Sequence, residues 1–267
     1  MRVHSLILCG FLAVSLTAAP RSSARTQTGF LDRTVAVGGA TYKYQVFLPD
    51  DWSPKQKWPI ILFLHGAGER GSDGLLQTDV GLGHAIRLDR SRFHTIVVMP
   101  QCLKDSWWRT AKMEEMALAT LAAATKEFKG DPKRSYVTGL SMGGFGTWDI
   151  AARYPHKFAA VVPICGGIVL PERLKQMRPD LAASSYPDDP KSYEEVARKI
   201  GTTPVWMFHG SADDVVPVEG SRKLNDALKA AGGSVRYTEY PGVAHNSWDQ
   251  AYAESELMPW LLAQTLK

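Results

Sequence analysis

Five apolar runs recur along the chain, each closed at its carboxyl end by glycine or polar residues: WPIILFLHG (58–66), HTIVVMPQ (94–101), RSYVTGLS (134–141), FAAVVPICGG (158–167) and PVWMFHGSADD (204–214). A strand that does not alternate polar with apolar residues is covered on both faces. SVRYTEYPG (234–242) ends the series, and RTVAVGGATYKYQVFLP (33–49) reads as two strands joined by a turn at Gly38-Gly39. Between the runs lie helical patterns. Residues 111–129 are rich in Ala, Leu, Glu and Lys and stop at Gly130 and Pro132. Further helices are predicted near 142–153, 192–200, 218–231 and 247–265, with 168–192 as an irregular insertion. This alternation predicts a mostly parallel sheet with helices on both faces, and 267 residues suffice for one such domain.

Residues 1–24 read differently. Arg2 precedes an apolar run from Leu6 to Ala19, and small residues follow. This is the pattern of a secretory signal, too short to span a membrane comfortably. Cleavage after Ala24 or Ala19 fits, although Pro20 disfavours the second; Cys9 follows Leu8 rather than the small residue that precedes a lipidated cysteine. The expectation is a secreted or periplasmic protein without stable membrane insertion, in which residues 25–267 form the single domain. Two of the 31 basic residues and none of the 27 acidic ones fall within residues 1–24, leaving +2 on the remainder. So small a balance gives no reason to expect nucleic acid as a partner.

In a parallel sheet the ligand site lies beyond the carboxyl ends of the strands, and four such ends carry chemistry. The first is Ser141 in GLSMG (139–143). A G-x-S-x-G match alone also describes a glycine-rich turn with a capping serine. Here it lies between a strand and a helix, the context of a nucleophile elbow. The second is HGSADDVVP (209–217), where Asp213 or Asp214 could hold a histidine in the right tautomer. The third is His245, in PGVAHNSWDQ after the last strand; among seven histidines it alone completes the order serine, acid, histidine. The fourth is LHGAGERG (64–71), whose glycines let backbone N–H groups approach a substrate oxygen. The Met142 N–H and one from Ala67 or Gly68 would then form an oxyanion hole. His65 is expected to be structural, and Glu69 and Arg70 to fix the loop by pairing with each other or with neighbours. No clustered His, Cys and carboxylate spacing suggests a metal site, and no cofactor is expected.

The segments LFLHGAGERG, VVMPQC, GLSMGGFGTWDIA, FHGSADDVVPV and GVAHNSW resemble those of exported serine esterases of the α/β-hydrolase superfamily, often labelled predicted peptidases and related to dienelactone-hydrolase-like and feruloyl-esterase-like carboxylesterases. The resemblance covers roughly residues 30–265. It implies an α/β-hydrolase fold without a large cap domain, and Ser141, Asp213 and His245 as catalytic residues, with Asp214 the fallback acid. Dienelactone hydrolases place cysteine at the elbow, where this chain has Ser141. The implied substrate is a short-chain or phenolic ester, free or polysaccharide-linked, and Trp107, Trp108 and Trp248 could line its pocket. For Trp148 core packing is expected. The rival within hydrolases is a serine peptidase of the prolyl-oligopeptidase type, which usually carries a large gating domain ahead of the catalytic one. A non-catalytic binding protein is the third possibility, and the intact motif set speaks against it. The usual strand order of the fold separates Cys102 from Cys165 by about 14 Å, so both thiols are expected to be free. Oligomeric state is not readable.

Overall fold

A computed structural model describes residues 27–182 and 185–267; the expected secretory signal lies outside the described residues. The first half comprises β1 (Gly29–Val37), β2 (Ala40–Leu48), β3 (Trp58–Leu64), α1 (Leu82–Leu88), β4 (Ile96–Pro100), α2 (Ala111–Glu127), β5 (Gly130–Leu140) and α3 (Met142–Arg153). The second comprises β6 (Ala160–Ile164), α4 (Glu172–Met177), α5 (Pro179–Ala182), α6 (Pro190–Ile200), β7 (Val205–Gly210), α7 (Glu219–Ala230), β8 (Val235–Tyr240), α8 (Trp248–Ala253) and α9 (Leu257–Leu262).

The eight strands form one sheet in the order β1-β2-β4-β3-β5-β6-β7-β8. Only β2 runs against its neighbours, pairing antiparallel with β1 and β4, while β4 through β8 are mutually parallel along the sheet. Gly38 and Gly39 both have positive φ, as the tight β1–β2 turn requires. Alternate residues of the buried strands feed two cores. Ile60, Leu62 and Leu64 of β3 pack under α2 and α3, whereas Ile61 and Phe63 face the layer formed by α1, α8 and α9. The chain leaves β3 toward β4 and returns past it to β5. This reversal opens a crevice beyond the ends of β3 and β5, where such sheets bind their ligands. Among the described residues no helix is long and apolar enough to cross a membrane.

Three local expectations need correction. The last predicted helix is two short ones, because a helix through Pro259 would lose a backbone hydrogen bond; Pro259 instead occupies the first turn of α9, where no donor is needed. The segment 168–192 is not irregular throughout, since it holds α4, α5 and the start of α6. Asp189 caps α6, its Oδ1 accepting from Ser192 N at 2.8 Å, and Pro190 takes the first helical position. Helix α1 was not foreseen. Cys102 and Cys165 are buried free thiols at the ends of β4 and β6, with β3 and β5 between those strands.

Candidate active site

Ser141 is the sole residue between β5 and α3, and it turns the chain with φ 52° and ψ −117°. Its amide donates to Ile164 O at 3.0 Å, which ties the turn to β6. The flanking glycines answer to crowding. A Cβ on Gly143 would lie 1.9 Å from Leu64 O, and one on Gly139 would lie 2.4 Å from Gly143 O. The elbow therefore presses directly on the end of β3.

His245 reaches Ser141 from the connection between β8 and α8. Its Nε2 lies 2.8 Å from Ser141 Oγ and its Nδ1 lies 2.7 Å from Asp213 Oδ2. A carboxylate only accepts, so Nδ1 carries the hydrogen and Nε2 is free to take the serine proton. Asp213 has a fully buried side chain, whereas Asp214 is exposed. Asp213 Oδ1 accepts from the amides of Val215 and Val216, both at 2.9 Å. Burial alone would raise the Asp213 pKa, but hydrogen bonds from His209, His245 and Val216 N outweigh it and hold the carboxyl well below the usual range. Gly210, at the end of β7, leaves room for the histidine loop: a Cβ there would lie 2.2 Å from Val243 O.

The loop after β3 is anchored by hydrogen bonds to the segment that follows β4. Gly71 N donates to Cys102 O at 2.9 Å, and the Gln101 side chain bridges Gly74 N and Glu69 O at 2.7 and 3.1 Å. Arg70 bonds the carbonyls of Ala67 and Ser106, not Glu69, whose pKa burial raises. Gly66 abuts the elbow, since a Cβ on it would sit 3.8 Å from Ser141 Cβ. Ala67 follows it and opens a 3-10 turn, while Gly68 is exposed. Met142 is the first residue of α3, so its N–H has no partner within the helix.

His65 lies beneath this loop as a structural residue. Its Nε2 accepts from Cys102 N at 2.9 Å, its Nδ1 faces Gly66 O at 2.6 Å, and its carbonyl accepts from Trp108 Nε1 at 2.9 Å. Burial pushes its pKa down to about 4. A depressed histidine stabilises the fold above the unfolded pKa of about 6.5 and loses that contribution as pH falls toward the folded value. Wild type is therefore expected to lose up to about 3 kcal/mol from this group between those limits. Urea unfolding over this interval checks it, and His65→Gln should flatten the slope.

Of the three tryptophans expected to line a pocket, Trp248 is half-buried and the other two are buried. Trp248 meets the His245 ring edge-on at 5.4 Å between centroids. Trp107 and Trp108 are buried in the core beside α2 and α3, because Gly146 admits Trp108 against the elbow helix. Trp148 is core, as expected. Nearer the acid, a cavity of about 290 Å³ opens between the segments that follow β6 and β7, with Gly167, Val169 and Val216 in its lining. Lys175 and Lys223 also border it, paired with Glu172 and Asp188.

Sequence reasoning missed two neighbours of the acid. Cys165 adopts φ 38° behind the site, its Sγ within 4.8 Å of the ligand-type atoms of Asp213 and His245. Such a spacing suits a metal ion, but both His245 nitrogens are engaged and burial drives the thiol pKa well above its usual value. The other is His209, 3.2 Å from Asp213 Oδ2; its separation from the acid by four residues was the available signal.

Residues 105–265, which hold Ser141, Asp213 and His245, match the prolyl oligopeptidase family. The chain belongs to that family. Prolyl oligopeptidase family membership agrees with the α/β-hydrolase architecture of the sheet, while the loop at 65–71 lies ahead of the matched region. A thermostable esterase of known structure is 34% identical, with a TM-score of 0.72, over 88% of this chain and 63% of that one. An uncharacterized secreted protein of Arthroderma benhamiae is 26% identical over 78% of this chain and 23% of its own length. An endo-1,4-beta-xylanase/feruloyl esterase of Xylanibacter ruminicola is 27% identical over 72% of this chain and 24% of its own. The chain thus spans about a quarter of the length of these two curated relatives.

Proposed function

We propose that the protein is an exported serine carboxylesterase that cleaves short-chain or phenolic esters, free or polysaccharide-linked, with Ser141, His245 and Asp213 as its catalytic residues. The observation that carries this reading is the unbroken hydrogen-bond chain from Ser141 through His245 to a buried carboxylate, on a strained elbow at the sheet's switch point. Likeness to an esterase of known structure and to a feruloyl esterase region supports an ester over an amide, and likeness to a secreted protein supports export.

The chemistry follows from the geometry. His245 Nε2 takes the Ser141 proton as Oγ attacks the ester carbonyl, and Asp213 stabilises the imidazolium that forms. The oxyanion is held by the Met142 N–H and one from Ala67 or Gly68. Imidazolium then gives its proton to the leaving alcohol, the C–O bond breaks, and water repeats the sequence on the acyl-enzyme. Trp248 supplies an aromatic wall beside His245, suited to a phenolic group. No large cap covers the site among the described residues, which favours small, soluble esters.

A panel of p-nitrophenyl esters from acetate to palmitate, with methyl ferulate and a peptide p-nitroanilide, tests the reading. Short-chain or feruloyl esters are expected to turn over at least about tenfold faster than palmitate. Faster cleavage of the long-chain ester would overturn the size preference. Faster cleavage of the anilide than of every ester would favour the peptidase reading that the family match also permits.

A further inference from the structure

Asp213 is held by a second imidazole as well as by His245. His209, near the end of β7, is completely buried. Its Nε2 lies 2.9 Å from Val216 O and 3.2 Å from Asp213 Oδ2. Both oxygens only accept, so Nε2 carries the hydrogen, bonded to Val216 O with Asp213 Oδ2 within reach of the same N–H. Nδ1 lies 2.7 Å from Ser221 Oγ, in the first turn of α7, and in the neutral ring it accepts the hydroxyl proton. We propose that His209 is a positioning residue of the active site, holding Asp213 Oδ2 in line with His245 Nδ1, and that Ser221 fixes the His209 tautomer. The inference rests on the reading of Asp213 as the catalytic acid.

The donor inventory carries it. Two backbone amides fix Oδ1, so the orientation of Oδ2 depends on what meets it. His245 cannot serve that purpose alone, because it is the very group that Oδ2 has to orient: its Nδ1–H stays on Oδ2 while a proton comes and goes at Nε2, and a fixed reference for Oδ2 must come from elsewhere. His209 is sealed from substrate, so its hydrogen bond persists through the cycle. Other groups face this pair. The Cys165 thiol lies beside Asp213; Glu239 of β8 stands opposite His209 in register, its charge paired with Arg222 and its Oε2 accepting from Tyr237. None of these supplies a donor that replaces Nε2–H on Oδ2 in the hydrogen bonds described.

The test compares wild type with His209→Leu, His209→Gln, Ser221→Ala and Asp213→Asn. For each, kcat and KM for p-nitrophenyl acetate are measured from about pH 4 to 9, and active sites are counted with a fluorophosphonate. His209→Leu should lower kcat per labelled site about 10–100-fold, the range seen when outer-shell partners of metal-bound histidines are lost, with KM nearly unchanged. Its acidic limb, which reports proton uptake by the base His245, should move to higher pH, since a carboxylate with one donor fewer holds the imidazolium more strongly. His209→Gln, with an amide donor in place of Nε2–H, should recover most of the loss, and Ser221→Ala should shift the limb less, in the same direction. A wild-type limb with activity lost only in proportion to labelled sites overturns the proposal, as does an unchanged kcat. Should His209→Leu fail to fold, Ser221→Ala decides, and a wild-type profile there overturns it. Full activity in Asp213→Asn removes the reading of Asp213 itself, whereas collapse in Asp213→Asn beside an unaffected His209→Leu removes only this inference.

Discussion

Ser141→Ala is expected to lower kcat for the best ester by about a million-fold, with KM changed only a few-fold, because Oγ contributes to bond formation far more than to ground-state binding. What remains should be the acceleration supplied by oxyanion donors and substrate positioning, roughly a thousandfold over water. The same dependence predicts non-additivity. A Ser141→Ala, His245→Ala double variant should be no slower than either single one, since His245 has no other proton to take. Folding should survive the change, because alanine meets the φ of 52° with no more crowding than serine, and only the contact to His245 Nε2 is lost. The measurement is initial-rate kinetics alongside fluorophosphonate labelling. A variant that retains more than about one per cent of wild-type turnover would show that Ser141 is not the nucleophile.

Asp213→Asn should lower kcat by about ten-thousand-fold, while Asp214→Asn stays within about twofold. Four donors converge on the Asp213 carboxylate: two backbone amides on Oδ1 and the two imidazoles on Oδ2. An asparagine brings its own NH2 group, so one side of the amide must set donor against donor. If the NH2 faces the imidazoles, His245 turns to the other tautomer and presents N–H to Ser141, where a lone pair is required. If it faces Val215 and Val216, the amide of buried Val216 is left without an acceptor at a cost of about 1–3 kcal/mol, while that of exposed Val215 turns to water. The first arrangement abolishes the base, and the second weakens the fold. Asp214 is exposed and has no place in this convergence. Equal losses in the two variants would sink the assignment; a loss confined to Asp213→Asn supports it.

Much of the sheet is legible in the sequence because each buried strand is an uninterrupted apolar run that ends in a turn residue, as in WPIILFLHG. Ser141 and His245 are legible for a related reason. Strand-to-helix context selects one serine, and its place after the last strand selects one histidine of seven. The carboxylate was less legible, since Asp213 and Asp214 leave the same strand end and only the folded chain separates them, by burial and by the contact with His245. Trp107 and Trp108 also leave a strand end, yet the direction in which they turn depends on Gly146, about forty residues later, having no side chain to exclude them. His209 was hidden because it occupies a position where an apolar strand residue would serve equally well for packing. Its role appears only once α7 brings Ser221 to its far nitrogen.

Ser141 and His245 are 104 residues apart in sequence, and they meet only when the connection after the last strand docks on the elbow. Contacts of such separation close late during folding, after local pairings have formed. Ester turnover is therefore a clock for the final docking step. In a refolding experiment, activity should return after the far-ultraviolet signal of the sheet and helices, and the lag between them measures how long a nearly complete protein stays chemically silent.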